Sequence, residues 1–377
     1  MNFPSTKIQT VAIEPGRRIL ATSDIHGYYS YFEKILAKAG FGSNDILLIV
    51  GDMIEKGPNS LATLRRVMEL CKQENVIALI GNVDATRMKI INELCEENVD
   101  GFYRYCLSLR AWNGSSFFDE LAEECGYKIE SAADILRAKQ DVIAHFEPEF
   151  NFLAGLPTVV ETQNYVFVHG GLRERAVADN RDKGLFELTK YDDFMTQTPH
   201  VFDKYVVVGH WPVALYNGEI QQQNPIVNRE KKIISLDGGC GVEKVCQLNL
   251  LVIPDINAPI DAVSFLSYDD IPTVRALDAQ EASAESVHIY WTNRAITLLE
   301  RGDERSYIEH VSSGRRLYVP NSYLKSDTEC YPYTSYELPV QPGDRLSLIS
   351  ESPHGCVVKK DGVIGWYRGA YEPDDSL

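Results

Sequence analysis

The chain has no long apolar run, no basic run and no close pair of cysteines, and each absence removes a class of protein. No segment holds ~18 consecutive apolar residues, so no helix is expected to span a bilayer. The N-terminus, MNFPSTKIQTVAIEPGRR, lacks an apolar stretch followed by a small-residue cleavage site, which makes a cytoplasmic protein the expectation. Lys and Arg number 37 against 54 Asp and Glu, a net charge of -17. Such a field repels a phosphate backbone, so neither nucleic acid nor a membrane is expected as a partner. The eight cysteines, Cys71, Cys95, Cys106, Cys125, Cys240, Cys246, Cys330 and Cys356, form no CxxC pair. Reduced, mostly buried thiols are therefore expected rather than zinc sites or disulfides.

What is present is a folded chain of more than one core. Its 377 residues exceed what a single core usually supports, and 44% apolar with 24% charged residues is a globular composition. The first half alternates short β-branched runs with amphipathic stretches, which predicts an α/β layered domain over residues 1–258. Strands are expected at 18–22, 46–50, 76–80, 165–168, 205–208, 233–236 and 248–253. Phe32, Ile35, Leu36 and Ala39 are spaced for one helix face, and Leu61, Leu64, Val67, Met68 and Cys71 for another. Residues 85–157 break the alternation and read as an inserted helical cap, rich in aromatics such as Phe102, Tyr103, Tyr105, Trp112, Phe117 and Phe118. Those spacings suit core better than a ligand box, although a cap is also where substrate choice is made.

After Pro254 the composition turns to Pro, Asp, Ala and Ser, and residues 259–284 read as a linker. Beyond it the chain is all β and repeats itself. ITLLERGDERSYIEHVSSGRRLYVPNSYL, from Ile296, lies against LSLISESPHGCVVKKDGVIGWYRGAYE, from Leu346. Each resembles the C-terminal half of a bacterial SH3-like barrel, which implies two small barrels over 285–326 and 327–377 and a peptide or protein partner for them. The alternative is that both copies are turns of one β domain.

The chemistry lies where polar residues follow the predicted strands. SDIHG, with Asp24 and His26, follows the first; GDMIEKGP, with Asp52, the second; GNVD, with Asn82, the third. Later strands end in HGG at His169 and GHWP at His210. Strand exits of an open α/β sheet share one rim, so these six side chains are expected to converge. Any one is weak evidence, but six ligand types in order, each beside Gly, are hard to obtain by chance. His145, His200, His288, His310 and His354 are read as structural.

This series resembles the phosphoprotein-phosphatase-type metallophosphoesterases of the calcineurin-like superfamily, which include Ser/Thr protein phosphatases and bacterial diadenosine tetraphosphate hydrolases. The family pattern GDxHG, GDxxDRG, GNHE, HGG and a later His aligns with SDIHG, GDMIEKGP, GNVD, VHGGL and VVGHWP. The resemblance implies that Asp24 and His26 hold one cation, that Asp52 bridges two, and that Asn82, His169 and His210 complete the second. Imidazoles mixed with carboxylate and amide oxygens suit Mn²⁺, or Fe or Zn²⁺, better than Ca²⁺. Two such cations hold a bridging hydroxide at neutral pH for in-line attack on phosphorus.

Two departures bear on mechanism. Val83 stands where the family has a proton-donating His, and general acid catalysis is worth roughly 10²–10⁴-fold. Alkyl phosphates should suffer most, anhydrides and aryl phosphates least. Lys56 replaces the family's phosphate-binding Arg, with Glu55 for the Asp, which keeps charge but loses the bidentate fork. Asp84 is a candidate substitute acid, and Arg87 a candidate phosphate contact from the cap. The expected activity is two-metal hydrolysis of phosphomonoesters, as in Ser/Thr protein phosphatases. The alternatives are hydrolysis of dinucleoside polyphosphates such as diadenosine tetraphosphate, or a metal-binding pseudophosphatase acting as a binding module. The substrate is then a phosphorylated protein or a nucleotide. A chain cut after Asp261 is expected to remain a soluble hydrolase.

Overall fold

The computed structural model describes residues 3–374. It divides into two compact units, one running to Val213 and resuming over Pro225–Asp269, the other made of Ala214–Asn224 and the described residues from Asp270 on.

The first unit opens with β1 (Ile8–Thr10), β2 (Ile19–Thr22), α1 (Tyr29–Ala39), β3 (Ile46–Val50), α2 (Ser60–Leu70) and β4 (Val76–Leu79). Five helices follow: α3 (Asn82–Glu93), α4 (Val99–Asn113), α5 (Phe117–Glu124), α6 (Ala132–His145) and α7 (Glu147–Gly155). Next come β5 (Val159–Glu161), β6 (Tyr165–Val168), α8 (Leu185–Thr189), α9 (Phe194–Gln197) and β7 (Tyr205–Val208). The chain then contributes β8 (Gln221–Gln222) to the second unit and returns as β9 (Ile226–Asn228), β10 (Ile233–Ser235), β11 (Leu248–Ile253) and β12 (Ser264–Tyr268).

Two mixed sheets result, ordered β1-β5-β6-β7-β10-β9 and β12-β11-β2-β3-β4. Strand alternation decides which core each residue enters. Ile19, Ala21, Leu48 and Val50 meet Val160, Phe167, Val207 and Ile234 of the other sheet. Leu20, Leu47 and Ile49 face the opposite way, into a cluster with Phe32, Ile35, Leu64 and Val67 of α1 and α2. The helix faces expected from spacing are thus the buried ones, except that Met68 and Cys71 are only half-buried.

The inserted helices belong to that same cluster, which runs on through Met88, Phe102, Phe118, Ile135 and Phe150. Polar ties add to the apolar ones. Glu120 accepts from Ser60 N at 3.0 Å and Leu61 N at 2.7 Å, filling the vacant donors at the start of α2. Arg65 of α2 holds Glu124 and Glu149. A segment expected as a cap is therefore part of the domain core, with Phe117 also buried and Trp112 exposed.

The second unit contains β8, β13 (Thr273–Ala276), β14 (His288–Ile289), β15 (Ile296–Glu300), β16 (Arg305–His310), β17 (Arg315–Pro320), β18 (Tyr333–Thr334), β19 (Arg345–Ser352), β20 (Gly355–Lys360), β21 (Val363–Tyr367) and β22 (Tyr371–Pro373). All pairings among these strands are antiparallel. The internal repeat appears as two meanders, β15-β16-β17 and β19-β20-β21, whose ladders shift register at matching places, Leu298/Glu300 and Leu348/Ser350. The linker expectation over 259–284 differs from what folds there. β12 pairs with β11, and β13 lies between β19 and β22. β12 is a half-exposed edge strand, and β13 is an interior strand of four residues with only Val274 and Ala276 buried, so neither stands out among Pro, Asp and Ser. Among the described residues no helix is long and apolar enough to cross a membrane.

Candidate metal centre

Parallel pairing of β2-β3-β4 and of β6-β7-β10 sends six strand exits to one side of each sheet. The exits are joined through the main chain. Asp24 N donates to Gly51 O at 3.1 Å, His26 N to Asp52 O at 2.9 Å and Gly209 N to His169 O at 2.9 Å. His210 N donates to Asp24 Oδ2 at 2.9 Å, tying the exit of β7 to that of β2. Asp24, His26, Asp52, Glu55, Lys56 and His210 all have positive φ, as do only three other non-glycine residues among those described. Left-handed backbone at such residues costs roughly 1–3 kcal/mol each and persists where the surroundings impose it. Glycine is required beside them: a Cβ on Gly81 would overlap Asp52, and one on Gly209 would overlap Asp24.

The six expected side chains come together. His26 Nε2 lies 3.8 Å from Asp24 Oδ1 and 3.5 Å from Asp52 Oδ2. His169 Nε2 lies 3.3 Å from Asp52 Oδ2 and 4.0 Å from Asp24 Oδ1. The Asn82 side-chain amide comes within 3.0 Å of His169 Nε2 and 2.8 Å of His210 Nδ1. Asp24, His26, Asp52 and His169 are buried. Ligand atoms of Asp24, His26 and Asp52 lie within 4.8 Å of one another.

Each imidazole is held by its other nitrogen. His26 Nδ1 faces Ile54 O at 3.1 Å, His169 Nδ1 faces Val50 O at 2.7 Å, and His210 Nε2 faces Asp192 Oδ1 at 2.8 Å. An acceptor at that nitrogen fixes the proton there and leaves a lone pair on the one pointing inward. The inward nitrogens of His169 and His210 then both meet the Asn82 amide, which satisfies them as an N–H donor and, turned over, would offer its oxygen beside them to a cation. The acids agree. Burial, with Asp52 nearby, raises the Asp24 carboxyl above its ordinary range. Burial would raise Asp52 as well, but His169 and His26 outweigh it and hold this carboxyl well below that range. Burial pulls His169 down, yet Asp52 and Asp24 prevail and carry it up to about 10. His26 goes the other way, lowered to about 3 by burial reinforced by Lys56. The donor set fits divalent cations.

The remaining expected site residues are placed unevenly. Lys56 Nζ donates to His26 Nε2 at 3.1 Å, so it reaches the centre. Val83 is buried, and its main-chain N donates to Asp52 Oδ1 at 2.8 Å. Asp84 does not sit as a proton donor. Its Oδ1 accepts from Met53 N and Ile54 N, and its Oδ2 from Asp52 N and Gly81 N. A carboxyl with four N–H donors on its oxygens works as an acceptor, although burial, with Asp52 close, pushes it up to about 7. Arg87 is neither a phosphate contact from the insert nor a solvated charge. It is buried, 3.1 Å from Glu55 Oε2, with its guanidinium 4.3 Å from the Tyr105 ring. Among the other histidines, His145 is exposed, whereas His288 and His310 are buried in the second unit.

Two residues escaped the sequence reading. Asp237, just past β10, is buried, and burial together with Asp24 pushes its carboxyl well up. Its signal was present as LDGG at a strand exit, the same pattern that pointed to the others. Asp192, the partner of His210, lies in YDDF and has no local signal.

A model of calcineurin-like phosphoesterases matches residues 17–234. The chain belongs to this family. Calcineurin-like phosphoesterases are metal-dependent hydrolases of phosphate esters, the chemistry that this donor set suits. Among curated relatives, the symmetrical bis(5'-nucleosyl)-tetraphosphatase of Buchnera aphidicola subsp. Schizaphis graminum is 33% identical over 89 residues, 23% of this chain and 32% of the relative. That of Wigglesworthia glossinidia brevipalpis is 43% identical over 60 residues, 16% of this chain and 21% of the relative. The matches thus span a third or less of these relatives. Among solved structures, a protein serine/threonine phosphatase from Saccharomyces cerevisiae is 13% identical with a TM-score of 0.44, over 71% of this chain and 85% of that one.

Proposed function

We propose that this phosphoesterase hydrolyses phosphoanhydrides, dinucleoside polyphosphates being the class tested first, with two divalent cations. Asp24 and His26 would hold one, Asn82, His169 and His210 the other, and Asp52 both. The observation that carries this reading is the convergence of the inward ring nitrogens of His26, His169 and His210, with the Asn82 side chain, around two buried carboxylates. Cations bound there supply a nucleophile at neutral pH and charge for the phosphoryl oxygens. Mn²⁺ is the first candidate, with Fe or Zn²⁺ compatible with the same donors.

The chain's own residues then have distinct tasks. Asp52, whose Oδ1 is fixed by Val83 N, presents Oδ2 to both imidazoles. Lys56, freed from His26 when that nitrogen is engaged, would hold a phosphoryl oxygen as a point charge. No proton reaches the leaving group from Val83 or Asp84. A leaving phosphate of an anhydride needs none, whereas a serine alkoxide does. The names of the tetraphosphatase relatives support the same choice.

Two other readings keep a specific support each. Protein phosphomonoesters are favoured by the paired β-meanders of the second unit, whose resemblance to SH3-like barrels suits peptide docking. A pseudophosphatase is favoured by Val83 and Lys56 standing where the family has His and Arg. The test is purified protein with Mn²⁺, analysed for metal content and offered an aryl phosphate, a phosphopeptide and diadenosine tetraphosphate. Turnover should be fastest with the dinucleotide and absent in Asp52→Asn. Faster release from the phosphopeptide would overturn the anhydride reading, and bound metal without turnover of any substrate would leave the pseudophosphatase.

A further inference from the structure

We propose that Asp192 is a positioning residue for the second cation, acting through His210; this rests on the two-cation reading above. His26 and His169 are oriented by main-chain carbonyls, Ile54 O and Val50 O, on the strand and loop that carry Asp52. His210 alone is oriented by a side chain, Asp192 Oδ1 at 2.8 Å from Nε2. A carboxylate there fixes the Nε2–H tautomer, turns the Nδ1 lone pair toward Asn82 and raises the basicity of the ring.

The segment carrying Asp192 is built to hold it in place. Leu188 O accepts from Gly170 N and Gly171 N, each at 3.0 Å, so the segment is bonded to the turn that follows His169. Arg173, from the same turn, donates through Nε to Glu187 O at 2.7 Å and through a terminal nitrogen to Lys190 O at 3.2 Å. Its guanidinium covers the Tyr191 ring at 3.7 Å. Asp193 follows in the left-handed conformation, φ 52°, immediately before α9. One segment therefore braces the turn of His169 and, through Asp192, the ring of His210. Its purpose is not stability. The Asp192 side chain is 55% exposed, and ion pairs so placed add little to folding.

The experiment is calorimetric titration of chelator-stripped protein with Mn²⁺, in wild type, Asp192→Ala, Asp192→Asn and His210→Ala. Wild type should take up two ions. Asp192→Ala should reproduce the His210→Ala profile in milder form, weakening one uptake by roughly 10–100-fold and leaving the other unchanged. Asp192→Asn, which keeps an acceptor without the charge, should fall between wild type and Ala. The two Asp192 variants should melt within about 2 °C of wild type, the contribution of the exposed Asp192 carboxylate being under about 1 kcal/mol. A wild-type profile for Asp192→Ala, or equal weakening of both uptakes, would overturn the assignment. Wild-type protein that takes up no Mn²⁺ would remove the two-cation reading itself and Asp192's role with it, an outcome the wild-type arm alone identifies.

Discussion

Asp84 holds the loop of Asp52 in place: one carboxylate oxygen accepts from Asp52 N at 2.9 Å and the other from Met53 N at 3.0 Å. The pair joins the start of α3, where Asn82 sits, to the exit of β3, so two candidate ligands share one scaffold.

Asp84→Ala should therefore act on structure and metal together. Removing a buried carboxylate from four N–H donors should cost roughly 3 kcal/mol, read as a lower denaturation midpoint. Metal content should fall in parallel, and aryl and alkyl phosphates should lose turnover equally. Asp84→Asn keeping its metal while losing only alkyl turnover would restore Asp84 as the proton donor.

Val83→His should raise turnover of alkyl phosphates more than of aryl phosphates, by something on the order of 10²-fold for the former. Val83 is the second residue of α3, and its N already bonds Asp52 Oδ1, so the new side chain starts one residue from Asn82. Steady-state rates on the two substrate classes check this, and an equal gain on both would remove the account of the missing acid.

Arg18 and Asp45 give a pH signature away from the centre. Two 2.8 Å hydrogen bonds join them, and Gly42 N also donates to Asp45, closing the turn before β3. Hydrogen bonding from Arg18 holds the Asp45 carboxyl below its ordinary range. A depressed carboxyl stabilises the fold above its unfolded value, about 4, and loses that contribution as pH falls through its lower folded value. Asp45→Asn should lower the melting temperature at pH 7. The difference from wild type should shrink below about pH 4; a constant difference down to pH 2.5 would refute the charge effect.

How legible all this was depended on how far each contact reached. The β2, β3, β6, β7 and β11 runs and the six convergent side chains could be read because β-branched strands are local signals and parallel strands share their exits. Arg87 could not, since a charge on a helix reads as solvated until Glu55 and Tyr105 are known to enclose it. Glu120 was equally silent: nothing in a helical acid indicates that it caps a helix some 60 residues earlier. β8 is two glutamines, a strand only because Val363 and Ile364 pair with it. Asp237 was legible and overlooked, because the rule applied at five exits was not carried to the sixth.

Truncation tests the boundary between the units. A cut after Asp261, expected from sequence to leave an intact hydrolase, removes β12, which pairs with β11 over five residues. Lost with it is Tyr268, whose ring meets Tyr31 edge-on at 5.3 Å and whose hydroxyl accepts from Lys34 at 2.8 Å. A cut after Asp269 keeps both. Either cut strands 214–224, because β8 loses β21, Glu219 O loses the Ser286 hydroxyl, and Asn217 O loses His288. The version expected to fold ends at Asp269 and replaces 214–224 by a short Gly/Ser linker. It should melt roughly 5–10 °C above the same chain ended at Asp261, equivalent to a few kcal/mol for a domain of this size. Equal melting temperatures would mean that β12 adds nothing to the sheet and that the boundary belongs at Asp261 after all.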